Sequence, residues 1–541
     1  MTKILTAQNR SIILWTLFIM LTGNLSLFRK IFELYPLSLA NFAFLLSLAA
    51  VFTILTSIFF LLICHGRWAR WVMAFYLLAA SQAAYYMDQY GVILDNVMID
   101  NMFQTNPQEF AGLISTTLVI RTLLLGILPA WLVLKYMPTR VDILTELKYR
   151  AALLALLLVV LVAVIAPFTA GYASFIREHK IARLYANPTY FTHSIYQYLR
   201  QNLRSTDVAN LEQTASDATM LGPREKFELI VLVVGESARA DRFSLNGYAK
   251  DTNPELRKRD VVSLTDVASC ATSTGESVPC MFSVLGRKDF DRERSLQIEN
   301  VLDVLAEHGV QILWRDNNSD SKGTAVRMQF EDFRDAATNP VCDPECRDVG
   351  MLSGLDSFIE SKKNGDILIV LHQMGNHGPE YYRRYPKEFE RFKPTCKSNE
   401  LSDCTKEEID NAYDNAILYT DYFLSKVIDL LKKYDGQFET AMLYVSDHGE
   451  SLGEYGIYLH AAPYFIAPKE QTHIPAVVWL GKHFDYTNEQ LKPYKDSPLS
   501  HDDLFCMLMV GYELSTDTCA KEQAILLENL EIKGGKHKQR N

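Results

Sequence analysis

The sequence predicts a helical membrane domain of five spans, followed by an α/β domain built on a mainly parallel central sheet. Three observations predict this. Residues 1 to about 172 are mostly apolar, with long runs free of charge, whereas beyond about residue 205 charges are spread throughout. Three apolar runs of strand length in the second half each end in acidic or histidine residues. Eight of the nine cysteines also lie in that half. The split between the two halves excludes a simple cytosolic enzyme, and 22% charge with 11% aromatics over the 541 residues excludes a disordered chain. With a net charge of -10 and no long Lys/Arg run, nucleic acid is not an expected partner.

A bilayer-crossing helix needs about 20 apolar residues. Such stretches lie near Ser11–Phe28, Asn41–Cys64, Trp71–Met87, Thr116–Lys135 and Ala151–Gly171. The first has no small-residue cleavage site after it and reads as an anchor. Lys3 and Arg10, then Arg67 and Arg70, then Arg140, Lys148 and Arg150 mark alternate ends as cytoplasmic, against Arg29 and Lys30 in one opposite loop and nothing basic between Gln89 and Ser115 in the other. The N-terminus is therefore expected inside, and everything after Gly171 outside. Arg121 is the conspicuous charge within a span, one turn from its outer end, where it is expected to snorkel.

The expected boundaries are a membrane domain over 1–172, a bridging segment and linker over 173–224, and an outer domain over 225–541. In Tyr172–Arg204, Tyr190, Phe191, Ile195, Tyr198 and Leu199 recur at roughly helical spacing among basic residues. That pattern fits amphipathic helices on the leaflet surface, or a solvated basic linker. Ser205–Arg224 carries no strong pattern and is expected to be the linker.

Cys64 falls within a span, and an even number of cysteines in an oxidising compartment reads as a disulfide framework. Local spacing pairs Cys270–Cys280, Cys342–Cys346 and Cys396–Cys404, leaving Cys506–Cys519.

The three strand-like runs are "FELIVLVVGESAR", ending in Glu236; "DILIVLHQMGNHGP", passing His372 to His377; and "TAMLYVSDHGESLG", ending in Asp447, His448 and Glu450. Continuous Val/Ile/Leu runs fit strands covered on both faces, and in such sheets ligands bind beyond the carboxyl ends. Carboxylate oxygens with an imidazole nitrogen suit Zn²⁺. His372, inside its run, reads as structural. In "SCATSTGESVPCMFS", Thr272, Ser273, Thr274 and Ser277 offer hydroxyls at a helix start, where the dipole and free N–H groups favour negative charge. An alcohol is a poor nucleophile until a metal lowers its pKa. Asn318 and Lys322 of "WRDNNSDSKG" are candidates to hold a phosphate, and His460 with His377 offers either a second metal site or a proton donor.

The stretches "VVGESARADRFSLNGY", "SVPCMFS", "LWRDNNSDSKG", "LHQMGNHGP" and "LYVSDHGESLGEYGIYLH" resemble the lipid A phosphoethanolamine transferases, Gram-negative inner-membrane enzymes linked to polymyxin resistance. The resemblance runs over essentially the whole chain. It implies an alkaline phosphatase/sulfatase-like periplasmic domain, with Thr274 as the nucleophile. Glu236, Asp447 and His448 would complete a zinc site with the Thr274 oxygen, a second zinc remaining open. His377, His460, Asn318 and Lys322 would hold the transferred phosphate or the acceptor. "DNVMIDNMFQTNPQE" resembles the family's donor loop, which implies Asn101, Thr105 and Glu109 near a phosphatidylethanolamine headgroup. Ala271 departs from the glycine often found there in the family.

The expected reaction moves phosphoethanolamine from phosphatidylethanolamine onto a phosphate or sugar hydroxyl of lipid A through a threonine adduct, in a monomer. The rivals are a phosphoglycerol transferase or sulfatase of the same superfamily, although no C/S-x-P-x-R pattern surrounds Thr274, and a non-catalytic membrane sensor.

Overall fold

The computed structural model describes residues 6–105, 107–139, 142–202, 211–221 and 226–520. Lys3, Arg140, Arg204 and residues 205–210 and 222–224 of the expected linker lie outside them. The chain divides into two compact units, residues 1–102 with 110–203, and residues 103–109 with 204–541.

The first unit is helical. Helices α1 (Ala7–Thr22) and α2 (Leu25–Leu34) meet at a 60° bend. The carbonyl freed at this break is not left unpaired. Asn187 Nδ2 donates to Gly23 O and Ala80 O, both at 2.8 Å, and Asn24 Nδ2 donates back to Asn187 O at 2.8 Å. There follow α3 (Leu39–Ile63), α4 (Ala69–Tyr90), α5 (Thr116–Tyr136) and α6 (Leu144–Phe168). By length and composition α3, α5 and α6 are long and apolar enough to cross a membrane, or four elements if α1 and α2 count as one bent span. The expected Trp71–Met87 span falls in α4, which has the length at 22 residues but is diluted by Ser81, Gln82, Asp88 and Gln89.

Those polar residues have partners. Arg121 does not snorkel alone; its NH2 lies 2.7 Å from Asp88 Oδ2, with both side chains mostly buried. Asp88 also accepts from the N–H and hydroxyl of Ser26. Gln82 donates to Thr122 Oγ1, where α5 widens into a π-helical turn over Thr122–Ile127. A Cβ at Gly126 would stand 2.6 Å from Ser81 Oγ, so the two helices approach closely here and a larger residue would displace the serine hydroxyl. Near the other ends of α1, α3 and α6, Arg150 is almost fully buried and donates to Asn9, Gln8, Glu146 and the Cys64 carbonyl. After α6 the chain forms α7 (Thr169–Glu178), α8 (Lys180–Leu184) and α9 (Thr189–Asn202). Tyr172, Phe175, Tyr185 and Phe191 are buried while Ile176, Tyr196 and Leu199 are exposed, so the stretch is two-faced.

The second unit is a three-layer α/β/α domain. Its strands are β1 (Glu228–Gly235), β2 (Val262–Ala268), β3 (Gln311–Asp316), β4 (Gln329–Asp332), β5 (Ile367–His372), β6 (Glu439–Ser446), β7 (His473–Leu480) and β8 (Leu499–Ser500). They order as β8-β2-β7-β6-β1-β5-β3-β4. All neighbours pair in parallel except β7, which runs against both β6 and β2. All eight residues of β1 are buried, as expected of a strand covered on both faces. Ile230, Leu232 and Val234 face α10 (Thr274–Phe282), α11 (Val301–Glu307) and α13 (Leu504–Gly511), while Leu229, Val231 and Val233 face α12 (Lys406–Tyr434). A capping box starts α12: the Thr405 hydroxyl accepts from Glu408 N–H and Glu408 accepts from Thr405 N–H.

Disulfides join Cys270 to Cys280, Cys342 to Cys346, Cys396 to Cys404 and Cys506 to Cys519. Part of the expected linker is built into this unit. Thr219–Met220 pairs with Leu514–Ser515, and Thr214 N–H donates to Glu299. A two-residue edge pairing leaves no periodic signal in a sequence.

Ile417 is fully buried at the centre of α12. Ile417→Ala is expected to cost about 2–5 kcal/mol, and Lys432→Ala on an exposed face of the same helix under ~0.5 kcal/mol, compared by thermal unfolding of the detergent-solubilised chain.

Candidate active site

Parallel register builds this site. Gly235 of β1 pairs with Ser446 of β6, and His372 of β5 pairs with both Val234 and Asp316 of β3. The residues that leave these strands therefore emerge along one edge of the sheet: Glu236 after β1, Asp447 and His448 after β6, Asn318 after β3 and His377 after β5. Thr274 joins them as the first residue of α10, whose preceding loop is closed by the Cys270–Cys280 bridge. Its position at a helix N-terminus places unpaired N–H groups and the positive dipole end beside the hydroxyl.

Four donor atoms converge. Thr274 Oγ1 donates to Glu236 Oε2 at 3.0 Å and lies 3.2 Å from His448 Nε2. His448 Nε2 stands 3.6 Å from Glu236 Oε1 and 3.3 Å from Asp447 Oδ2. All four side chains are buried, and Asp447 Oδ2 has no hydrogen-bond partner. A tetrahedral shell with ligands at about 2.0–2.2 Å has edges of about 3.3–3.6 Å. The donor set thus fits a divalent cation in chemistry, and His448 Nε2 stands at such an edge distance from the nearest oxygens of Thr274, Glu236 and Asp447. A ligand atom of His460 also lies within 4.8 Å of those of Glu236 and His448.

Burial alone would push the Glu236 carboxyl up, but the imidazoles of His448, His377 and His460 outweigh it and hold it well below the carboxylate range. Asp447 moves the other way, pushed up to about 6 by burial and then by the Glu236 charge. Neighbouring buried carboxylates do not both ionise easily without a cation between them.

The flanking residues divide into those that touch the cluster and those that support it. His460 and His448 have ring centroids 4.4 Å apart, and His377 lies 5.8 Å from His460. Asn318 donates to Glu236 Oε2 at 2.7 Å and to Gln373 O at 2.8 Å. Lys322 is half-buried on the same loop, in a left-handed conformation. His372 lies 2.8 Å from Asp316 through Nδ1, a fully buried pair. In the first unit, Asn101 lies on helix Asn96–Gln104. Thr105 follows that helix, and Glu109 falls in Pro107–Gly112, its side chain outside the described residues.

Several residues support the cluster in ways that the sequence did not assign. Glu450 Oε2 lies 2.9 Å from His460 Nδ1, while Tyr381 OH donates to Glu450 Oε1 at 2.7 Å. Burial would depress His460, but the Glu450 carboxylate more than compensates and raises it to about 9. Asp348 accepts from Met374 N–H at 2.9 Å, Gly375 N–H at 3.2 Å and Asn317 Nδ2 at 2.8 Å, fixing the turn that leads to His377. Ser277 Oγ donates to Asp447 O at 2.5 Å. His501 accepts from Cys270 N–H at 3.0 Å and contacts Ser446 O through Nε2 at 2.9 Å, tying the loop before Thr274 to the end of β6. Glu450 was visible beside Asp447 and His448 and Ser277 among the hydroxyls near Thr274; Tyr381, Asp348 and His501 carry no local signature.

Burial pushes His501 down to about 4, so its neutral form is favoured in the fold. Its contribution to stability is fully present above the unfolded value of 6.5 and is lost as pH falls through the folded value. The unfolded chain binds the extra proton first, and the loss integrates to about 3 kcal/mol over that window. Thermal unfolding between pH 7 and pH 4 is expected to show this slope in the parent chain and a flatter one in His501→Asn.

A family model described as Sulfatase matches residues 228–509, and one described as Phosphoethanolamine transferase EptA/EptB matches residues 51–203. The chain is 40% identical over 529 residues to phosphatidylethanolamine transferase Mcr-1 of Escherichia coli, covering 94% of this chain and 95% of that one. It is 36% identical over 512 residues to phosphoethanolamine transferase EptA of Salmonella typhimurium, covering 92% of each. Among solved structures, the integral membrane protein lipooligosaccharide phosphoethanolamine transferase A of Neisseria meningitidis matches with a TM-score of 0.89 at 33% identity, over 94% of this chain and 96% of that one. The α/β second unit and the helical first unit are thus matched together, and the chain belongs to the phosphoethanolamine transferase family.

Proposed function

We propose that this chain transfers phosphoethanolamine from phosphatidylethanolamine to lipid A, through a covalent adduct on Thr274. The observation that carries the reading is the placement of the Thr274 hydroxyl, 3.0 Å from Glu236 and 3.2 Å from His448 at the start of a helix. The relatives named above act on the same headgroup by name.

Glu236, Asp447, His448 and the Thr274 oxygen would hold one Zn²⁺. Bound zinc supplies positive charge that lowers the hydroxyl pKa and offsets charge on the transferring phosphoryl group. In the first step Thr274 Oγ attacks phosphorus, the bond from phosphorus to the glycerol oxygen breaks, and diacylglycerol leaves with a proton. In the second step an oxygen of lipid A, from a phosphate or sugar hydroxyl, attacks the same phosphorus and Thr274 is released. The α10 N-terminus and Lys322 stabilise the phosphoryl oxygens. His377 and His460 contact the transferred group and move the protons. Glu450 on Nδ1 fixes the His460 ring and leaves Nε2 as the nitrogen available to substrate. Asn318 steadies Glu236 and lies beside the phosphate. Asn101, Thr105 and Glu109 meet the donor headgroup.

The anchoring helices make five spans with the N-terminus cytoplasmic and the second unit periplasmic, so a monomer meets both lipids at the inner membrane. The added ammonium lowers the negative charge of the outer membrane and with it the attraction of polymyxin and other cationic peptides.

Intact-mass analysis after incubation with phosphatidylethanolamine is expected to show one ethanolamine phosphate adduct, mapped to Thr274 and lost in Thr274→Ala. An adduct that persists in that variant overturns the assignment. Removing metal with a chelator is expected to lower transfer at least 100-fold, with recovery on adding Zn²⁺; unchanged transfer overturns the metal assignment.

A further inference from the structure

The loop Gly453–Pro468 does more than carry His460. Tyr455 is 82% exposed and Phe465 is 73% exposed, the two most exposed aromatic side chains among the described residues of the second unit. Single exposed apolar residues are ordinary. These two lie on either side of one active-site histidine, on a loop that is held rigid rather than left loose.

Three of its non-glycine residues adopt left-handed backbone: Tyr455 at φ 53°, Leu459 at 66° and Ala461 at 63°. Such strain persists only where the surroundings impose it. Here Ala461 N–H donates to Thr272 O and the Thr272 hydroxyl donates to Ala462 O, both at 2.7 Å. Gln471 holds the same segment from within, donating to Leu459 O at 3.1 Å and accepting from Ala462 N–H at 3.1 Å. Tyr464 OH donates to Ser269 O at 3.1 Å. Glu454, the acid beside Tyr455, is engaged by Arg239 at 2.8 Å.

Cationic groups border the tip. The Arg287 guanidinium sits 4.1 Å over the Tyr464 ring, and Arg287, Lys288 and Lys469 are exposed. Amphipathic aromatics beside lysine and arginine are the composition that settles at the headgroup level of a bilayer, where the rings enter the interface and the cations meet lipid phosphates.

We propose that this loop is a membrane-docking surface, with Phe465 and Tyr455 as its anchors, which seats on the headgroup layer of the bilayer that the chain's own helices cross. It deepens the reading given above, since a donor taken from that layer is then met by His460 on the same rigid loop. The occupant is the bilayer surface, neither the tail of a single bound lipid nor a protein partner.

The test uses the full chain in nanodiscs of phosphatidylethanolamine and phosphatidylglycerol. Phe465→Trp is expected to add emission over the parent chain that falls at least twofold when the lipid is brominated at the upper acyl chain. Emission that bromolipid leaves unquenched overturns the proposal, whatever the transfer activity. A parent chain that transfers nothing from phosphatidylethanolamine sinks the functional reading instead, while the quenching still decides the docking. Kinetics then separate the sources. Tyr455→Ser with Phe465→Ser is expected to raise the KM for bilayer-embedded donor about tenfold. For monomeric dihexanoyl phosphatidylethanolamine, both kcat and KM are expected to stay within twofold of the parent. An equal rise in KM for the monomeric donor assigns the aromatics to a single-lipid subsite and overturns the docking surface. A fall in kcat on both donors shows a role in supporting His460, and overturns it as well.

Discussion

Glu236 and Asp447 are two carboxylates buried at the ends of adjacent strands, and much of the second unit is arranged around them. The parallel pairing of Gly235 with Ser446 leaves the next residues no choice but to emerge side by side. Buried like charges are costly unless hydrogen bonds and a cation offset them. The hydrogen bonds are present: Ser237 Oγ and Asn318 Nδ2 donate to Glu236, while the N–H groups of Ser237 and His448 donate to Asp447 Oδ1. One oxygen, Asp447 Oδ2, is left over, facing the nitrogen of His448 at 3.3 Å. A divalent ion is the group whose charge and size answer that remainder, and this is why the proposed chemistry and the local electrostatics lead to the same residues.

The threonine must then be delivered to this pair without freedom to drift, since electrostatic stabilisation works only when the groups are fixed before reaction. Three ties supply the constraint from different parts of the chain. The Cys270–Cys280 bridge closes the loop before α10, Ser277 bonds the Asp447 carbonyl, and His501 links Cys270 to Ser446. None of the three touches the reacting atoms. Together they make the distance from Thr274 to Glu236 a property of the sheet rather than of one side chain's rotamer.

What the sequence discloses follows from how far each interaction reaches. The runs that become β1, β5 and β6 are legible because strands buried on both faces are continuously apolar, and the acids and histidines that end them are legible because they interrupt those runs. The direction of β7 is not, because "HIPAVVWL" has the same composition whether it runs with its neighbours or against them. His501 and Asp348 are invisible for another reason. Each acts through backbone groups from 26 to 231 residues away, and such a contact requires only one suitable polar residue, not a pattern. The pairing of Thr219–Met220 with Leu514–Ser515 shares that fate, since two residues make no period.

The membrane unit turns the same reasoning around. Helix α6 reads as strongly apolar because its surface faces outward, with few buried residues in its span window, so every position must suit a hydrocarbon solvent. Helix α4 reads as weakly apolar because its neighbours enclose it: eleven of its residues are buried, among them Ser81 against Gly126, and its half-buried Asp88 and Gln82 make polar contacts inside the unit, Asp88 with Arg121 and Ser26 and Gln82 with Thr122. An ionisable residue within such a bundle is expected to face inward and find a partner, as Asp88 does. Hydropathy measures contact with lipid, so it falls for a helix that its neighbours enclose. The dilution of the α4 sequence is therefore the chemical trace of the helices packed around it.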